Sequence, residues 1–240
     1  MDIASQITRL SLTDNFPDLR GVELLPMRLI KAAAQALPVS AVSVGVFGEG
    51  SHRVPLGSSD DGSATAERLQ FTVGEGPCLA ANGAGGWIIA TQDVLHESWP
   101  DFHRELLAHT SFRSVVSSPV GHGLGGIAAV DFYFDNPEPD ITPELLDDLE
   151  SAADVVGAML MAHSGLVALT AAPPKWLESQ VASARSEVWI ALGMLNLAQG
   201  IDNVTALERL RNYADEHGET VEQVALSLTT RELTTDAITG

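Results

Sequence analysis

The stretch that decides the fold class runs Ser114-Val115-Val116-Ser117-Ser118-Pro119-Val120, then Gly121-His122-Gly123-Leu124-Gly125, then Gly126-Ile127-Ala128-Ala129-Val130-Asp131-Phe132-Tyr133-Phe134. Two runs rich in β-branched and aromatic residues flank a glycine-rich link, the pattern of an antiparallel hairpin. The glycines do not read as a phosphate loop, because they lead into a strand instead of opening a helix and no Lys-Ser/Thr follows. Upstream, residues 41–47 read as a first strand closed by Gly48-Glu49-Gly50, and residues 69–73 and 86–90 as two more short strands. Helical spacing surrounds them. Val22, Leu25, Leu29, Ala32, Ala33 and Ala36 recur every three to four residues within 21–37, stopped by Pro38, and Trp, Phe and Leu spacing favours a short helix over 99–108. Downstream, Thr142 is suited to cap a helix with Pro143 at its first position, and Leu145, Leu149, Ala152, Val156, Met159 and Leu160 form its apolar stripe. Residues 1–170 are therefore expected to form an α+β domain, an antiparallel sheet flanked by helices.

At Ala171-Ala172-Pro173-Pro174 two consecutive prolines remove backbone donors and forbid an unbroken helix, which places a proline linker at 171–175. Residues 176–240 read as wholly helical. One helix spans 176–199 and ends at Gly200, a second runs from Asp202 to His217 and ends at Gly218, and a third opens on the capping box Thr220 with Gln223. Helices of these lengths with short connections make an all-α three-helix bundle. On the first of them Leu177, Val181, Ala184, Val188, Ala191 and Leu195 form a seam suited to a homodimer contact.

Composition narrows the chemistry. The 240 residues carry 13 Lys and Arg against 32 Asp and Glu, a formal charge of −19, which argues against nonspecific attraction to nucleic acid. The acid is uneven: residues 175–240 hold five basic and ten acidic side chains, so most of the negative charge belongs to the first part. With 45% hydrophobic residues the chain has enough apolar surface to build a core. No apolar run approaches the roughly 18 residues of a membrane span and no secretory pattern opens the sequence, so a cytoplasmic location without membrane attachment is expected. The single cysteine, Cys78, can support neither a disulfide turnover cycle nor a site of several thiolates. Its nearest charged neighbour in sequence is Glu75, which would raise the thiol pKa. His96, His103 and His109 lack the spacing of a zinc pair, and no Gly-x-Ser-x-Gly elbow is present. No catalytic residue, metal or cofactor is assigned, and the chain is read as a non-enzyme.

Specific residues add a resemblance. Gly74-Glu75-Gly76-Pro77-Cys78-Leu79-Ala80-Ala81, Trp99-Pro100-Asp101-Phe102 and Phe112-Arg113-Ser114-Val115-Val116-Ser117-Ser118-Pro119-Val120 resemble the GAF domain of actinobacterial sensory regulators. Ala191, Gly193 and Leu195, then Ala206, Leu210, Arg211 and Ala214, then Val224-Ala225 resemble the ANTAR domain, a three-helix RNA-binding antitermination module that often follows such a GAF domain. The resemblance implies a sensory domain with an unidentified small-molecule ligand, for which Phe71, Cys78 and Trp87 are the candidate pocket residues. It also implies helix packing through Ala191, Gly193, Ala206, Leu210, Ala214 and Ala225, and binding of nascent-transcript hairpin RNA by a homodimer. Arg185, Arg209 and Arg211 are the candidate RNA contacts; Arg209 and Arg211 lie 200° apart on a helix, so only one can share a surface with Arg185. The chain departs from the family pattern at Leu192, where a lysine is usual, and at Thr205, where an acid is usual. These departures favour the alternative of a dimeric signalling or scaffold protein with a degenerate ANTAR domain that does not bind RNA.

Overall fold

The structure, a computed structural model, describes residues 2–47, 53–120, 128–163 and 175–239. Five strands, β1 (Ala41–Phe47), β2 (Arg53–Ser58), β3 (Ile88–Ala90), β4 (Ser114–Pro119) and β5 (Ala128–Phe134), form one sheet in the order β2-β1-β5-β4-β3. Every pairing is antiparallel, and β5 at the centre sets Asp131 opposite Ser43 of β1 and Ser117 of β4. The glycine-rich link between β4 and β5 and the prolines 173 and 174 lie outside the described residues.

The two-residue period of a strand sends its side chains to opposite faces. Val130, Phe132 and Phe134 of β5 join a core with α1 (Ile3–Leu10), α2 (Leu25–Ala36) and α7 (Pro143–Ala162) through Ile7, Leu29, Ile30, Leu149, Val156 and Leu160. Tyr133 and Asp131 point the other way, where Tyr133 packs with Ala66 and Leu69 of α3 (Asp61–Val73). The same layer contains Leu95 of α5 (Gln92–Ser98) and Phe102 and Leu106 of α6 (Pro100–His109). The short helix α4 (Pro77–Ala84) completes this side.

Two expectations for this unit need correction. Residues 69–73 are not a strand but the last turns of α3, which a capping box of Asp60 and Ser63 opens and Gly74, at φ 79°, closes. Leu69, Gln70, Phe71 and Thr72 are all buried, on different sides of the helix, so the segment shows no helical stripe and periodicity alone misreads it. The strand β2 went unread because Arg53-Val54-Pro55-Leu56-Gly57-Ser58 carries Pro and Gly; both are tolerated because β2 is an edge strand with a register shift opposite it at Val44/Gly45.

The C-terminal part holds α8 (Gln180–Gln199), α9 (Asn203–His217) and α10 (Val221–Thr229), preceded by a single 3-10 turn at Lys175–Glu178. Ser179, Asp202 and Thr220 cap their N-termini, and Gly200 and Gly218 end α8 and α9 in the left-handed conformation. Val188, Ala191, Leu192 and Leu195 of α8 pack with Ala206, Leu207, Leu210 and Ala214 of α9 and with Val221, Val224, Ala225 and Leu228 of α10. The seam assigned to a homodimer is thus filled by the chain itself at Val188, Ala191 and Leu195, while Ala184 is exposed. Phe71 of α3 belongs to this same core, so the two parts of the chain share one apolar anchor. No described helix is long and apolar enough to cross a membrane.

Candidate functional site at the junction of the sheet and the helical unit

A buried carboxylate at the centre of the sheet starts the site. Asp131 is 1% exposed; its Oδ1 accepts from Ser117 Oγ at 2.5 Å, and its Oδ2 from Gln70 Nε2 at 2.9 Å and Tyr133 OH at 3.2 Å. Such a group persists in a core only when it is paired and hydrogen-bonded. Its charge partner is Arg53, whose Nη2 lies 3.6 Å from Oδ2.

From Asp131 the charges alternate in sign outward to the helical unit. Arg53 Nε is 3.5 Å from Glu67 Oε1 on α3. Glu67 accepts from Arg185 Nη2 of α8 at 3.1 Å and 3.3 Å, and the same nitrogen lies 2.7 Å from Glu222 Oε1 of α10. Arg185 also donates to the Arg53 carbonyl at 3.1 Å, and its guanidinium lies 3.5 Å from the centroid of the Phe71 ring. Three carboxylates and two guanidiniums, from β5, β2, α3, α8 and α10, thereby form one ladder. It is incompletely satisfied: Arg53 Nε and Nη1, Arg185 Nε and both Glu222 oxygens are buried without an aligned hydrogen bond.

Burial pushes the Glu222 carboxyl above its ordinary value of 4.5, opposed by Arg185 and reinforced by the Glu67 charge; Arg68 is the other cation acting on it. An acid whose folded-state pKa is raised binds its proton more tightly when folded, so its contribution to stability is greatest below 4.5 and is lost as pH rises towards the raised value. Glu222→Gln, neutral throughout, is expected to flatten this decline and to raise the urea midpoint at pH 7. Midpoints measured from pH 4 upward that run parallel in the two proteins would show that burial does not raise the Glu222 pKa.

The end of α3 locks the two parts together by mutual capping. The last carbonyls of a helix have no intrahelical partner. Phe71 C=O accepts from Arg211 Nε at 3.1 Å and Nη2 at 3.0 Å, while Val221 N–H, at the start of α10, donates to Thr72 Oγ1 at 3.3 Å.

The adjoining segment Gly74-Glu75-Gly76-Pro77-Cys78 has a structural use at each position. A Cβ on Gly74 would lie 2.8 Å from the Arg211 guanidinium, and one on Gly76, at φ 140°, 2.5 Å from Gln70 Oε1. Gln70 Oε1 accepts from Cys78 N–H at 3.0 Å. Glu75 Oε1 accepts from the Asp101 and Phe102 amides at 2.9 and 3.0 Å, capping α6 and tying together the two quoted motifs. Gly76→Ala is expected to cost about 3 kcal/mol through its disallowed backbone and the displaced Gln70. Gly83→Ala, where a Cβ meets nothing within 4 Å, is the control, and denaturant midpoints compare the two.

Burial pushes the Cys78 thiol well above its ordinary range despite the nearby Arg53, which disfavours the thiolate. Tyr133 is raised in the same way by burial.

The arginines expected to contact RNA are placed differently from that expectation. Arg185 is 1% exposed inside the ladder, and Arg211 is directed at α3. Arg209 Nη1 donates to Gln199 Oε1 at 2.6 Å, and Gln199 in turn holds the Thr235 and Ile238 carbonyls. Phe71, Cys78 and Trp87 do not share a pocket wall: Phe71 is in the helical core, Cys78 beside the Asp131 network, and Trp87 packs on the α1/α2/α7 core. Ala191, Ala206, Leu210, Ala214 and Ala225 are fully buried in the helical core, but Gly193 faces open space and packs on nothing. Sequence reasoning missed Arg53, Glu67, Asp131 and Glu222; the lone carboxylate in the otherwise apolar run 126–134 was the one signal available.

No family model and no curated protein matches the chain. Among solved structures, it is similar to the GAF domain of a phosphoenolpyruvate-protein phosphotransferase from Coxiella burnetii, at 16% identity and TM-score 0.49 over 70% of this chain and 95% of that one. It is also similar to Escherichia coli SdiA, at 16% identity and TM-score 0.48 over 100% of both chains. A third is a free methionine-R-sulfoxide reductase from Neisseria meningitidis, at 15% identity and TM-score 0.41 over 67% of this chain and 84% of that one. None reaches a TM-score of 0.5, and no function is transferred from them.

Proposed function

We propose that the chain is a non-enzymatic, two-part regulator. The N-terminal α+β unit senses a signal, and the C-terminal helical unit is the output, binding hairpin loops of a nascent transcript as a homodimer so that a terminator does not form. The observation that carries this reading is the junction: two of the three candidate RNA-contacting arginines, Arg185 and Arg211, are engaged by residues of the N-terminal unit, Glu67 and Phe71. An output surface held by the sensory unit is what a signal-controlled regulator requires. Support for RNA as the output ligand comes from the ANTAR-like residues of α8 to α10.

A second reading, a scaffold without RNA binding, is favoured by Leu192, which is buried in the helical core at the position where the family carries lysine. Titration of a two-hairpin RNA separates them. With at most two of the three arginines sharing one surface, the slope of log K against log salt is expected to be no steeper than about −2, at roughly 0.7–0.9 per phosphate neutralised. Absence of binding at about 50 mM salt, where electrostatic attachment is strong, supports the scaffold.

A further inference from the structure

We infer that the charge ladder is a latch that transmits the charge state of the sheet centre to the docking of the helical unit. This rests on the sensor-and-output reading above, but its test needs no RNA. Glu67 is shared: Arg53 approaches it from the sheet and Arg185 from the helical unit. Arg53 is itself divided between Glu67 and Asp131. Removing the Asp131 charge leaves Glu67 as the remaining carboxylate against Arg53, draws Glu67 toward the sheet, and weakens its hold on Arg185. A change at the centre of β5 therefore reaches α8 through two intervening side chains and α10 through three.

The ladder is suited to switching because it is close to balance. A buried ion pair gains Coulomb energy but loses hydration of both partners, so its net worth is small while the loss of one member is costly. Here the balance is finer still, since five polar atoms of Arg53, Arg185 and Glu222 lack aligned hydrogen bonds. The apolar part of the junction is carried by Phe71, with Trp189 edge-on at 6.2 Å, and by Leu177, which packs on the α1/α2/α7 core. Alongside it, α3 and α6 are separated from α9 and the α9–α10 turn by a cleft of about 790 Å³, across which exposed Arg104 reaches Asp215 only at 4.0 Å. Beside these apolar contacts, docking draws on the ladder and on the two caps at the end of α3.

Hydrogen–deuterium exchange on the full chain tests this. Asp131→Asn and Glu67→Gln should each raise exchange of the Val221 amide and the first turns of α8 and α10 by about tenfold, while β1 and the amides near Leu195 and Leu210 change little. The triple variant Glu67→Gln/Arg185→Met/Glu222→Gln, which also removes the carboxylate that loss of Arg185 would strand and leaves Arg53 paired with Asp131, should restore protection at Val221. An unchanged Val221 amide in Asp131→Asn, or a uniform rise across the chain, overturns the latch. Should Asp131→Asn fail to fold, Glu67→Gln and the triple variant decide it: protection lost in the first and regained in the second supports the latch, and any other pattern overturns it.

Discussion

Arg185→Ala is expected to lower stability by about 3–5 kcal/mol, the cost of leaving a buried ion pair without one partner. The change strands Glu222 in the interior beside Glu67, which keeps only Arg53, removes the donor to the Arg53 carbonyl and exposes the Phe71 ring face that the guanidinium covers. Two carboxylates without a cation between them repel, so the helical unit loses its position on α3 as well as stability. Urea denaturation of the full chain measures the effect. A loss below about 1 kcal/mol, the range of surface ion pairs, would place Arg185 in solvent and not in the ladder.

Leu192→Lys is the second large effect. The ANTAR-like reading proposed above expects a lysine here, yet Leu192 is 3% exposed, within the core that α8 forms with α9 and α10. An ammonium forced into that core must leave its hydration behind without a partner, and a loss of about 3 kcal/mol or more is expected. Thermal unfolding checks the stability, and the two-hairpin RNA titration checks the function: binding should not strengthen. Unchanged stability with tighter RNA binding would mean that position 192 faces the nucleic acid.

The elements legible in the sequence were those with local causes. Thr142 and Thr220 cap their helices through their own side chains, Gly200 and Gly218 supply left-handed ends, and β1, β4 and β5 are runs of β-branched or aromatic residues. What escaped was decided at long range. The end of α3 is apolar or buried all round because one side meets the sheet and another the helical unit, so residues 69–73 carry no period. The alternation along β5, with Asp131 on the same face as Tyr133, marked one buried carboxylate, but nothing local linked it to Arg53, Glu67, Arg185 or Glu222. Members in direct contact lie as far as 132 residues apart, as Arg53 and Arg185 do, and only the packed fold brings them together. The same distance hid the use of Arg185 and Arg211, which look like free cations when only the C-terminal part is read.

The most direct test of the account compares the affinity of the wild-type chain and Glu67→Gln for a two-hairpin RNA at low salt. Glu67→Gln keeps Arg185, Arg209 and Arg211 and removes one of the two carboxylates that hold the first of them, the one contributed by the sheet domain. If docking keeps the binding-competent population small, apparent affinity rises as that population grows, and a gain of about tenfold is predicted for the variant. Equal affinities, or weaker binding by Glu67→Gln in a folded protein, would contradict control of the helical unit by the sheet domain.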